Sequence, residues 1–101
     1  MPYKILFLPS AAKELKSLPK KAIRAIDSEL LQLAEDPDRH SSVKPLRGFK
    51  KIFRLRVGDY RVIYKLERDK LIVLVIRIGH RKDVYGALNE KLKSLRHENE
   101  G

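Results

Sequence analysis

The chain has 101 residues, no cysteine, and 23 lysines and arginines against 13 acidic residues, a formal charge of +10. That length suits a single modest core, and the charge points to an anionic partner: nucleic acid, an acidic protein or an anionic membrane surface. The absence of cysteine excludes a disulfide framework and thiolate chemistry, and His40, His80 and His97 lack metal-ligand spacing, so neither a metal site nor a cofactor is expected.

No run of about 18 apolar residues is present, and Pro9 interrupts the amino-terminal stretch "MPYKILFLPSAAKEL" before a signal-like core can form. The expectation is a soluble, cytoplasmic protein with no membrane partner. Residues 3–9, "YKILFLP", predict a short strand closed by Pro9. Ser10 is placed to cap a helix in which Ala11, Ala12, Leu15 and Leu18 follow helical spacing, ended by Pro19. In "KKAIRAIDSELLQLAED" the residues Ile23, Ile26, Leu30 and Leu33 form one apolar stripe, and Pro37 stops this second helix. Residues 38–51 are polar, carry Pro45 and Gly48, and read as a loop.

Strands over 52–57 and 60–66 follow, joined by Gly58-Asp59, and a two-residue turn of that kind sets the pairing. Val57 then faces Tyr60, Arg56 faces Arg61, Leu55 Val62, Arg54 Ile63, Phe53 Tyr64, and Ile52 Lys65. Side chains alternate, so Phe53, Leu55, Val57, Tyr60, Val62 and Tyr64 share one face, and Arg54, Arg56, Arg61 and Lys65 share the other. Opposed like charges are unfavourable in a sheet, which makes that second face a candidate for function. "LIVLVIRIG" (71–79) predicts an interior strand, apolar on both faces. Tyr85, Leu88, Leu92 and Leu95 then predict a last helix at about 86–97, before a polar tail, 98–101.

The order predicts an α+β fold in one domain, residues 1–101: two amino-terminal helices packed on one face of a mainly antiparallel four-stranded sheet, plus a short carboxy-terminal helix. The strand exit "IGHRKDVY" gathers His80, Arg81, Lys82 and Tyr85 near one end of the basic face. Arginine forks suit phosphate oxygens, and Lys50, Lys51, Arg56, Lys65 and Lys82 are further candidates for touching an RNA backbone. Other readings stand beside this one. The basic face is either a site or a solvated surface, Arg56 has Asp59 and Asp83 as possible ion-pair partners, and Tyr85 belongs either to the core or to a base-stacking surface.

"RLRVGDYRVIYKL" and "VIRIGHRKDVY", with "AAKELKSLP", "AEDP" and "PLRG" in order before them, resemble the RelE family of toxins in the RelE/ParE superfamily over residues 3 to about 92. The resemblance implies a toxin of a type II toxin–antitoxin pair that cleaves mRNA in the ribosomal A site, against ribosomal RNA. It also implies a cognate RelB-like antitoxin that forms a hetero-oligomer with it. By position, the family's phosphate-stabilising arginine falls on Arg61, its leaving-group arginine on Arg81 and its carboxy-terminal tyrosine on Tyr85. One of its two hairpin lysines is matched by Arg54. The other falls on Ile52, a departure that leaves the general base open among His80, a lysine and Tyr85. Arg61, Arg81 and Tyr85 together separate this pattern from the gyrase-inhibiting ParE-like branch, and a degenerate, RNA-binding homologue is a further alternative.

Overall fold

Pro9 opens a helix. Its fixed φ and missing N–H suit the first helical position, so α1 runs Pro9–Lys16, with extended Leu8 as its uncapped N-terminal residue. Ser10 therefore lies inside α1 instead of capping it. The computed structural model describes residues 2–38 and 40–93. Around α1 lie β1 (Lys4–Phe7), α2 (Lys20–Glu35), β2 (Val43–Pro45), β3 (Ile52–Val57), β4 (Tyr60–Glu67) and β5 (Ile72–His80).

The strands form a five-stranded sheet in the order β1-β5-β4-β3-β2, one strand more than the sequence pattern predicts. The added strand is β2, inside the stretch read as loop: Val43 pairs with Leu55, Lys44 with Arg54 and Pro45 with Phe53. Proline is tolerated there because β2 is an edge. A His40 Nε2–Glu29 Oε2 contact of 2.7 Å and an Arg68–Asp38 pair at 2.8 Å tie the approach to β2.

The β3–β4 register runs from Ile52↔Lys65 to Val57↔Tyr60 as the turn predicts. Gly58 has a φ of 58°, while Asp59 stays out of the positive region, a pattern matching the II′ hairpin turn. β1 pairs in parallel with Ile72–Val75 of β5, and the rest of β5 runs past it. There α1 covers the exposed edge, with the Ile78 N–H donating to Glu14 Oε1 at 3.1 Å, so an open strand edge is blunted by a helix.

The face under the helices is packed by Ile26, Leu30 and Leu33 of α2 against Leu55, Val62, Tyr64, Val73 and Val75. The opposite face is not uniformly cationic. Ile52, Ile63 and Ile76 form a second core there with Val84, Leu88 and Leu92. A bulge contributes: Ile63 pairs with Arg77 but Tyr64 with Val75, so Ile76 is the extra residue and joins Ile63 on this face.

Residues 81–87 form turns, with Ala87 at a φ of 56°, and helix begins at 88, not 86. In consequence Val84 is buried (1% exposed) and Tyr85 is outside (42%). Leu88 and Leu92 dock firmly, and Lys91 Nζ donates to Ser10 Oγ at 2.6 Å; burial lowers the Lys91 pKa. The remainder of the expected helix, with Leu95 and His97, and the 98–101 tail lie outside the described residues. Among those described, no helix is long and apolar enough to cross a membrane.

Candidate functional site

The site is built on the β3–β4 hairpin and the exit of β5. Arg61 Nη1 donates to the carbonyls of Gly58 at 2.9 Å and Tyr60 at 2.8 Å. The turn thus holds the guanidinium and leaves its Nε and Nη2 donors for a ligand. Arg56 lies across from Arg61 and is exposed, with no ion pair to Asp59 or Asp83 among the described residues. The acid of the turn instead meets Arg81: the Asp59 carbonyl accepts the Arg81 N–H at 2.8 Å, and Asp59 Oδ1 lies 4.0 Å from Arg81 Nε. That backbone bond extends the β4–β5 register one step beyond the Tyr60↔His80 pair. Arg81 is thus held beside the Gly58-Asp59 turn, where β5 leaves the sheet.

Arg54, between Lys44 of β2 and Ile63 of β4, is half-buried, and its Nε is buried with no hydrogen-bond partner. An orphaned donor on a partly desolvated cation is unfavourable unless an anion arrives. Lys44 is a member of this face that sequence reasoning missed, because only its pairing with Arg54 places it there. Arg77 is another, brought across by the bulge and held near Glu14 Oε2 at 3.9 Å.

The other candidates separate. Gly79 pairs with Arg61, a Cβ built on it would meet Val84 Cβ at 3.6 Å, and Tyr85, next in the chain after Val84, is exposed. His80 goes the other way. It pairs with Tyr60 on the helix-covered side, its ring meets the Tyr60 ring edge-on at 6.0 Å, and its Nδ1 accepts the Lys82 N–H at 3.2 Å. His80 thus builds the exit turn, and the pleat separates it from Arg61. Lys82 is exposed on that turn. Lys65 shares the face but is paired with Glu67 at 2.7 Å, and that hydrogen bond lowers the Glu67 pKa. Lys50 and Lys51 are exposed before β3, Lys51 at a φ of 65°. Tyr60 and Tyr64 pack in the first core. Among the described residues no group of His, Cys, Asp or Glu is arranged to hold a metal.

The profile of the family described as "ParE toxin of type II toxin-antitoxin system, parDE" matches residues 5–85. Toxin RelG of Mycobacterium tuberculosis is 32% identical over 87 residues, 84% of this chain and 98% of the relative. Toxin RelE3 of Methanocaldococcus jannaschii is 32% identical over 85 residues, covering 81% and 94%. The toxin–antitoxin complex RelBE2 of M. tuberculosis superposes with a TM-score of 0.70 at 30% identity, over 82% of this chain and 95% of that one. A double mutant of Escherichia coli toxin RelE in the free state gives 0.76 at 26%, over 93% and 98%. The matched span takes in the helical hairpin, the sheet and the arginine face, and it defines the class: toxins of type II toxin–antitoxin systems. The chain belongs to the RelE family within the RelE/ParE superfamily of that class.

Proposed function

We propose that the chain is a metal-independent endoribonuclease that cleaves mRNA in the ribosomal A site and so inhibits translation. One observation carries the reading: Arg54, Arg56 and Arg61 share one face of the hairpin, Arg61 is oriented by the turn, Arg81 is held beside that turn, and among the described residues the acid paired with this group is Asp59, at 4.0 Å from Arg81. The ribose 2′-oxygen attacks the adjacent phosphorus, the bond to the departing 5′-oxygen breaks, and the products are a 2′,3′-cyclic phosphate and a 5′-hydroxyl. Arg61 stabilises the charge on the phosphorane, with Arg54 and Arg56 behind it. Arg81 neutralises charge on the departing oxygen, since a guanidinium is a poor proton donor near neutrality, and water supplies the proton that completes the 5′-hydroxyl. Removal of the 2′-proton falls to Tyr85 or Lys82, both exposed in the turns on either side of the Val84 anchor; His80 faces away. The weak acid–base equipment fits a substrate held in line by the ribosome.

A RelB-like antitoxin is the proposed partner in the cell, supported by solved complexes of RelE relatives with RelB. The test is cleavage of mRNA in programmed ribosomes against the same mRNA free in solution, with wild type and Arg61→Ala. Cuts that require the ribosome and vanish in the variant support the reading. Absence of wild-type cleavage in both settings overturns it.

A further inference from the structure

Ser10, the second residue of α1, gives its hydroxyl to a distant part of the chain. Its Oγ accepts a hydrogen bond from Lys91 Nζ at 2.6 Å, across 81 residues of sequence. The bond joins two elements that cover different parts of the sheet. α1 covers the edge of β5 beyond β1, where Glu14 meets the Ile78 N–H. Lys91 belongs to the helix at 88–93, whose Leu88 and Leu92 pack with Ile52, Ile63 and Ile76 in the second core. Leu8, just before α1, packs against both cores.

That helix depends on its anchors, because isolated helices shorter than about 12 residues are marginal in water. Val84, Leu88 and Leu92 hold it against the sheet, but apolar burial is non-directional. A charge-assisted hydrogen bond is directional, so the Ser10 contact is the one that sets the helix relative to α1. It is not a salt bridge. The nearby acid, Glu14, is engaged with the Ile78 N–H and lies 3.9 Å from Arg77, and among the described residues Lys91 has no ion pair. Burial lowers the Lys91 pKa, Arg77 adds to that effect and Glu14 opposes it. A partly desolvated ammonium on a neutral hydroxyl suits placement better than stabilisation.

The tied segment leads directly to the site. Arg81 is held beside the Gly58-Asp59 turn, Val84 lies against Gly79 opposite Arg61, and Tyr85 comes next. From Tyr85 the path to Lys91 is short and bonded: the Leu88 N–H donates to the Tyr85 carbonyl and the Lys91 N–H to the Ala87 carbonyl, both at 3.3 Å. We infer that Ser10 and Lys91 are positioning residues, whose hydrogen bond ties the carboxy-terminal helix to α1 and sets where Tyr85 stands relative to Arg61. The part of Tyr85 in the reaction rests on the proposed cleavage reading; the tie itself does not.

The test uses the full chain with Ser10→Ala, Ser10→Thr and Lys91→Met, the last keeping the stem and removing the charge. Ser17→Ala is the control, since its hydroxyl bonds the Glu14 carbonyl at the other end of α1. The readouts are the ring NMR signals of Tyr85, assigned with Tyr85→Phe, and kcat and KM for cleavage on programmed ribosomes. Ser10→Ala and Lys91→Met are expected to shift the Tyr85 signals and lower kcat by on the order of ten- to a hundredfold, the scale of a small misplacement. KM should hold, because the arginines are untouched. Ser10→Thr, which keeps the hydroxyl, should preserve both readouts, and Ser17→Ala should change neither. In a Tyr85→Ala background, Ser10→Ala should cause no further loss. A loss of kcat that persists in that background, or Tyr85 signals unchanged by Ser10→Ala, overturns the proposal. If wild type does not cleave on ribosomes, the cleavage reading falls by itself; shifted Tyr85 signals then uphold the tie, and unchanged ones overturn it.

Discussion

Arg61 and Gly79 face one another across β4 and β5, and the side chain missing from Gly79 leaves the place that Val84 fills. The phosphate-binding candidate and the anchor of the carboxy-terminal segment thus depend on one position. The built Cβ at Gly79 lies in ordinary contact distance of Val84, 3.6 Å, so Gly79→Ala should leave stability nearly unchanged. Gly79→Leu should push Val84 off the sheet and cost about 1–3 kcal/mol as overpacking. Urea unfolding of both variants checks this; equal stabilities would sink it.

Arg61→Ala should lower ribosome-dependent cleavage by roughly 10²- to 10³-fold, the scale of losing one preorganised donor group. Its stability should hold or rise by about 0.2–1 kcal/mol, because the opposed Arg56–Arg61 pair disappears. Arg61→Lys should not restore the rate, since an ammonium cannot keep the hydrogen bonds to the Gly58 and Tyr60 carbonyls and also present a planar fork. Parallel kinetics and thermal melts separate these effects.

Leu88 is 3% exposed in the second core. Leu88→Ala should therefore cost about 2–4 kcal/mol if the segment unfolds with the rest of the chain. Hydrogen exchange distinguishes that outcome from local release: selective loss of protection at 88–93, with the sheet unaffected, would show that this helix opens by itself.

Among the described residues, Asp38 and Glu67 shape the acid side of the stability profile. The Arg68 hydrogen bond lowers the Asp38 pKa, and the Lys65 hydrogen bond lowers that of Glu67. Both therefore release their protons more readily in the folded chain, and the unfolded chain binds more protons at low pH. Their contribution is complete above the ordinary carboxylate range and is lost as pH falls through the lowered folded values. Asp38 is exposed and Glu67 half-buried, so the slope should be shallow. Asp38→Asn should flatten it further in acid-titrated melts and leave neutral stability almost unchanged.

The hairpin was legible residue by residue, because Gly58-Asp59 and strict alternation over 52–65 determine which side chains meet, independently of the rest of the fold. The stripe Ile26, Leu30, Leu33 was legible for the same reason: its spacing is local. The arginine face followed from that register, and with it the positions of Arg54, Arg56 and Arg61. Other features needed neighbours distant in sequence. Val43–Pro45 has no strand signal of its own and becomes β2 only because the edge of β3 offers Leu55 and Phe53. The extra residue Ile76 is visible only against Ile63, and it redirects Arg77. Tyr85 fitted a helical stripe, yet the turns at 81–87 put Val84 inside and Tyr85 out. Ile52, where the family pattern has a lysine, is core because Leu88 and Leu92 fold back over it. Alternation and turn chemistry act between adjacent residues and can be read from the chain; which face is covered, and which of its cations stay open to a phosphate, is decided by packing between segments that meet only in three dimensions.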